Sequence, residues 1–309
     1  MKTTKVLAAL ALFALIAIPQ ARASTTNYVL SISSSADYVR VPDSDSLDLI
    51  DQFTLEAWIN PSFFIGGGKD QAVISKRRAA SGTGFALRVA KGNLGQYVDF
   101  GMNDGKNFNG GVSAGQIQTN TWTHIAATYD GSVIKLFING EVKDSKPVAI
   151  QLQNSAFPLT IGQEGLPGDP RPFFGLIDEV RVWNRALSQK ELQTNLSLHL
   201  TGQEPGLVGY WNFDDQTPKD SSVYHNDGAF VGGAQTVEDP LVLLQIYRAV
   251  EILSLSGSAS ATYQLQFKTN VASSTWINHD QPFPGGQPVQ FFDTARESGQ
   301  KIYRVIRIR

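Results

Sequence analysis

Trp122-Thr-His-Ile-Ala-Ala-Thr-Tyr-Asp-Gly-Ser-Val-Ile-Lys-Leu-Phe-Ile-Asn-Gly140 decides the fold. Thr121 to Tyr129 and Val133 to Ile138 are strand-length runs rich in β-branched and aromatic residues. They end at Asp130-Gly131 and Asn139-Gly140, dipeptides that readily adopt the positive φ of tight hairpin turns. Together they predict a three-stranded meander. Period two continues outward from it. In Phe53-Thr-Leu-Glu-Ala-Trp-Ile-Asn60, residues Phe53, Leu55, Ala57 and Ile59 share one face and Thr54, Glu56, Trp58 and Asn60 the other. Phe85 to Val89 alternates in the same way, and Gly175 to Trp183 reads as a further strand. Beyond it, Ser188 and Glu191 have capping-box spacing and start one short helix, about 189–195. Many short strands with so little helix imply two packed antiparallel sheets, because a single sheet would leave one apolar face wet. The fold class is all-β, a jelly-roll sandwich.

The composition removes several classes of function. The 309 residues carry 26 basic and 28 acidic side chains, a formal charge of -2, and are 42% hydrophobic. That is enough to bury a sizeable core, and the length favours about two domains. A near-neutral balance disfavours nucleic acid and anionic membranes as partners, since both need a net basic surface. With no cysteine there is no disulfide scaffold, no thiol nucleophile and no cysteine-ligated zinc.

Residues 1–23 read as a signal peptide. Lys2 and Lys5 make a positive start, Val6 to Ile18 an apolar stretch, and Ala21-Arg22-Ala23 a small-x-small cleavage pattern. Cleavage before Ser24 leaves 309 − 23 = 286 residues and a secreted protein, extracellular, at the cell surface or in the periplasm. No membrane span is expected after cleavage, because Gln245, Arg248 and Glu251 interrupt the apolar run Leu241 to Leu255. Glu238-Asp-Pro240 reads as a boundary, because the residue before proline is pushed to an extended conformation. It divides a first domain, 24–240, from a tail module, 241–309, with strand-like runs at 242–253, 262–269, 275–278, 288–292 and 301–308.

Five blocks in order carry a family resemblance: Asp37-Tyr-Val-Arg-Val-Pro42; Leu47-Asp-Leu with Phe53 to Trp58; Trp122 to Gly131; Leu136 to Gly140; and Phe174-Gly-Leu-Ile-Asp-Glu-Val-Arg-Val-Trp-Asn-Arg-Ala-Leu-Ser188. The chain resembles the laminin-G-like, concanavalin A-like jelly roll of secreted bacterial proteins across about 27–195. The segment Gly206 to Asp214, with Asp220-Ser-Ser and Asn226-Asp-Gly228, resembles a recurrent element of these proteins. More loosely, Tyr263 to Asn270, Trp276, Phe292-Asp293 and Tyr303-Arg-Val305 resemble a fibronectin-type-III-like tail module, a second small β-sandwich.

Jelly rolls of this type include glycosidases and lectins, so a carboxylate pair is the feature to look for. Glycosidases of the fold carry a Glu-x-Asp-x-x-Glu strand, which is missing here, and adjacent Asp178 and Glu179 are expected to point to opposite faces. The four histidines are scattered, and His124 reads as structural. No catalytic residue is assigned and the chain is read as a non-enzyme. The resemblance implies a structural calcium ion (Ca2+) held by Asp178 where the last long strand meets the first, with Asp37 or its backbone carbonyl supplying further oxygens. The alternative for Asp178 is a buried carboxylate that caps a turn or pairs with Arg181.

The loops Phe63 to Asp70, Asn103 to Asn109 and Glu164 to Phe174 set aromatics beside amides and charges, the chemistry that stacks on and hydrogen-bonds to sugars. Phe64, Asn107, Phe108 and Phe173 are the candidate ligand-binding residues. The function expected is secreted, non-catalytic binding of a glycan or a cell-surface ligand. The rival is a structural or adhesive cell-surface protein that contacts other proteins. The sequence leaves the oligomeric state open. Exported material should begin at Ser24 on N-terminal sequencing; a chain that retains Met1 to Ala23 contradicts the cleavage reading.

Overall fold

The meander forms as its turns require. Asn139 and Gly140 take φ of 51° and 74°, and Ile138 faces Glu141 across a two-residue hairpin. The first turn is longer: Tyr129 pairs with Ile134, and the Asp130 carboxylate accepts from Ser132 N at 2.9 Å and Val133 N at 2.8 Å.

The computed structural model describes residues 27–77, 83–92, 95–105, 108–148, 150–164, 170–196, 198–238, 262–268, 277–284 and 302–307. In chain order the elements are β1 (Tyr28–Ile32), β2 (Tyr38–Val41), a 3-10 turn (Asp45–Leu47), β3 (Phe53–Pro61), β4 (Asp70–Arg77), β5 (Gly84–Gly92), β6 (Gly95–Asn103) and β7 (Phe108–Ala114). They continue with β8 (Thr123–Tyr129), β9 (Val133–Ile138), β10 (Glu141–Pro147), β11 (Leu159–Ile161), β12 (Gly175–Trp183), α1 (Gln189–Asn195), β13 (Leu207–Trp211), β14 (Ala229–Val231) and β15 (Gln235–Glu238). Sheet A has the order β10-β9-β8-β3-β12-β1-β15, with β13 also on β12; sheet B has the order β14-β2-β11-β4-β5-β6-β7. All pairings within them are antiparallel.

Between the sheets lies one apolar layer. Phe53, Leu55, Ala57 and Ile59 of β3 all enter it, as their period predicts. Phe53 ties the sheets together, its ring 5.1 Å from Phe85 and 6.1 Å from Phe100 of sheet B and 5.9 Å from Tyr129 of sheet A. The opposite face of β3 is covered as well. The chain from Asn184 to Gly206, with α1, crosses the outside of sheet A and packs Leu187, Leu192 and Leu200 on Ala126, Phe137, Trp183 and Tyr210. Helix α1 starts with the expected box: the Ser188 hydroxyl accepts from Glu191 N, and Glu191 accepts from Ser188 N at 2.8 Å.

In the tail, β16 (Thr262–Lys268), β17 (Ile277–Pro284) and β18 (Ile302–Arg307) form one antiparallel sheet in the order β17-β16-β18. The expected runs at 242–253 and 288–292, the leader, its cleavage site and the Asp239-Pro240 boundary lie outside the described residues. Among the described residues no helix is long and apolar enough to cross a membrane.

Gly140→Ala should destabilise the fold by about 1–2 kcal/mol, because an L side chain is strained in the left-handed region and its Cβ would stand 2.9 Å from Gln193 Cγ of α1. The check is a lower urea midpoint at unchanged m-value. An unaltered midpoint would mean that hairpin and helix do not constrain each other.

Candidate ligand-binding site

The outer face of sheet A is polar but closed. Glu56, 0% exposed, accepts from Trp183 Nε1 at 2.8 Å and lies 3.1 Å from His124 Nε2. Burial pushes the Glu56 carboxyl up, but the His124 hydrogen bond and the Arg181 charge outweigh it and hold it below its usual range. Arg181 is buried too, donating to Glu179 and to the carbonyls of Asn195 (2.9 Å) and Leu198 (2.8 Å) in the covering segment. His124 is thereby structural.

One expectation about this face is corrected. Asp178 and Glu179 do not point to opposite faces. The β12–β3 register shifts between Asp178 and Arg181, and Glu179 takes φ 51°, so a bulge turns both carboxyls outward from the core. Burial and the adjacent Glu179 charge push the Asp178 carboxyl well above the usual range. Glu179 stays below its range: burial opposes ionisation, but Arg181 and His199 outweigh it. Both residues are 3% exposed or less, so the pair is closed off from solvent.

Asp37 and Asp178 stand at opposite ends of β1. The Asp178 oxygens accept from Asn27 Nδ2 (3.3 Å), just before the strand, and from Glu179 N (2.8 Å). Asp37 lies past its other end and accepts from Ser33 N (3.1 Å), Ser34 N (2.8 Å), Ser34 Oγ (2.7 Å) and Gly233 N (2.7 Å). Five strand residues separate the two groups, on the order of 15–20 Å, so they do not fit one calcium ion. Asp37 holds the β1–β2 turn to the β14–β15 turn instead. Among the described residues no three His, Asp or Glu are arranged to hold a metal.

The outer face of sheet B is different. Because Leu87 and Val89 enter the core, Arg88 between them must face out, and the register sets Ala72, Arg88, Asp99 and Ser113 side by side across four strands. Arg88 bridges Asp70 (3.0 Å) and Asp99, and Ser113 Oγ donates to Asp99 at 2.7 Å. Arg171 donates to Asp70 at 2.9 Å, and Arg77 Nε approaches Glu164 at 2.9 Å. Burial alone would lower the Arg88 pKa, but the charges of Asp99, Asp70 and Glu164 raise it. For Arg77 burial wins and the pKa falls.

Two of the loops singled out in the sequence meet at the end of the β3–β12 ladder of sheet A, where the chain passes to β4 of sheet B. Phe63 is 47% exposed and its ring stacks on Phe174, centroids 4.4 Å apart at 28°. Ser62 N donates to Phe174 O (2.9 Å), Ile65 N to Gln71 Oε1 (2.8 Å), and Ala72 N to Arg171 O (2.9 Å), which ties together the two loops that carry the ring pair, Asp70 and Arg171. Phe64 (9%) and Phe173 (0%) instead turn into the core, so neither offers a ring face. Asn107 lies outside the described residues; Phe108 begins β7 opposite Asn103, and its side chain is not described. Sequence reading missed Phe63, Arg88 and Asp99. Arg88 had a signal, as the charged residue on the polar side of an alternating strand.

The model of the concanavalin A-like lectin/glucanases superfamily matches residues 33–193, more than half of the chain, and the chain belongs to that family. The fold is shared with a candidate carbohydrate binding protein from Bacteroides ovatus, 21% identical at a TM-score of 0.54, over 69% of this chain and 60% of that one. This chain therefore spans less than two thirds of that protein. A heptameric SAP-like pentraxin from Limulus polyphemus is 17% identical at 0.44, over 55% of this chain and 82% of its own. The CBM40 of a Ruminococcus gnavus IT-sialidase, solved with α2,3-sialyllactose, is 18% identical at 0.45, over 55% and 96%. No curated protein matches.

Donors from Ser34, Gly233 and Ser33 outweigh burial and hold the Asp37 carboxyl at about 2. A depressed folded-state pKa gives stability that is present above the unfolded value, near 3.9, and lost as pH falls toward 2. Asp37→Asn should therefore cost about 1.5–3 kcal/mol at neutral pH, the range for hydrogen bonds to a charged group. The gap to wild type should close between about pH 4 and pH 2 in thermal melts; a gap constant down to pH 2 contradicts the turn role.

Proposed function

We propose that this protein is a secreted, non-catalytic binding module that holds a glycan against the outer face of sheet B. The observation that carries the reading is the Phe63–Phe174 stack, with Phe63 exposed, on the two loops that also bear Asp70 and Arg171, which pair at 2.9 Å. A sugar ring presents an apolar face that stacks on an aromatic ring and a rim of hydroxyls that pair with planar charged groups. Here both kinds of partner occur at one end of a rigid sandwich, where loops can vary without disturbing the core.

Two features support binding without turnover. The same-face carboxylates Asp178 and Glu179 are buried away from solvent. On sheet B, Asp70 and Asp99 are both tied to Arg88, so neither is set up as a general acid. The leader pattern is consistent with work outside the cytoplasm. The shared fold adds plausibility but no ligand, because a fold hosts many functions.

Polysaccharide pull-downs with the mature chain test the proposal. At least one glycan should be retained and none shortened. Phe63→Ala should weaken retention by about 1–3 kcal/mol, the value of burying and stacking an aromatic ring. New reducing ends would overturn the non-catalytic part. Failure to retain any glycan would favour the adhesive, protein-contacting alternative.

A further inference from the structure

The cluster on sheet B interleaves three guanidiniums, Arg77, Arg88 and Arg171, with three carboxylates, Asp70, Asp99 and Glu164. It is graded in depth: Asp70, Asp99 and Arg171 reach the surface with side chains 23%, 14% and 28% exposed, while Arg77, Arg88 and Glu164 beneath are 8%, 5% and 0% exposed. The formal charges cancel, and every guanidinium has a carboxylate within 3.0 Å.

The groups do not saturate one another. Among the described residues both oxygens of Glu164, Nε and Nη1 of Arg77 and Nε of Arg88 are buried without a hydrogen-bond partner. Glu164 and Arg77 touch at 2.9 Å without hydrogen-bond alignment. These atoms lie below the surface, so a ligand meets the partly exposed rim above them, Asp70 and Asp99 oxygens with the Arg171 guanidinium. That rim offers acceptors and a donor together. A carboxylate or sulfate can accept but cannot donate, and would meet the Asp70, Asp99 and Glu164 oxygens with no free positive charge to offset them. A hydroxyl does both.

We infer that this cluster selects a neutral, hydroxyl-rich sugar and rejects carboxylated and sulfated glycans. The inference rests on the glycan-binding proposal and names its ligand class.

Affinity electrophoresis of the mature chain through gels containing neutral glucan, mannan or xylan, or polygalacturonate, alginate or a sulfated galactan, tests it. The wild type should be retarded by a neutral polymer and by none of the anionic ones. Glu164→Gln, which keeps the shape and removes one negative charge, should weaken neutral retention at least ~10-fold and bring salt-sensitive retention by polygalacturonate. If that variant fails to fold, Asp99→Asn at the more exposed end should shift selectivity in the same direction. Wild-type retention by an anionic polymer, or a variant with unchanged selectivity, overturns the neutral-ligand inference while leaving glycan binding intact. Retardation by no polymer overturns the glycan reading itself.

Discussion

The apolar layer between sheets A and B is the constraint from which the rest follows. Because strands alternate, each residue committed to that layer forces its neighbour onto an outer face. In β3 this sends Glu56 and Trp58 outward as Phe53, Leu55 and Ala57 go in; in β5 it sends Arg88 outward between Leu87 and Val89. Two outer faces with polar side chains result, and they are resolved differently. On sheet A the segment around α1 closes over the polar groups, and its carbonyls accept from Arg181. On sheet B the charge cluster runs from a buried end at Glu164 to partly exposed carboxylates at Asp70 and Asp99.

The bulge at Glu179 shows how one backbone position redistributes chemistry. Below it β12 pairs with β1 through Ile177; above it β12 pairs with β13 from Val180 onward. The left-handed residue at this fork brings two carboxyls to the same side, and the surroundings answer with opposite protonation tendencies, up for Asp178 and down for Glu179. Tyr210 donates to Glu179 at 2.9 Å from β13, so the cluster also pins the fork. The geometry suits a structural role, since water and ligand are kept away from both groups.

Strand periodicity and turn chemistry made most of the two-sheet sandwich legible in the sequence. The Asn139-Gly140 hairpin, the inward face of β3 and the capping box of α1 are local patterns with one good structural solution each. The Glu179 bulge was not legible, because an extra residue leaves no mark in an alternating pattern until the partner strand is known. That Phe64 and Phe173 turn inward was not legible for a related reason: in a loop no period says which of two adjacent rings does so. The network of Arg88, Asp70, Asp99 and Glu164 joins residues far apart in the chain, so only the register could assemble it.

Hydrogen–deuterium exchange of the chain from Ser24, with and without a retained neutral polysaccharide, measures most directly where the ligand sits. Added protection should concentrate at 63–72, 86–90, 97–101, 111–113 and 171–174, with the 184–206 segment over sheet A unchanged. Protection centred on 184–206, on 178–181 or on the β12–β13 fork, with sheet B unaffected, would contradict that placement.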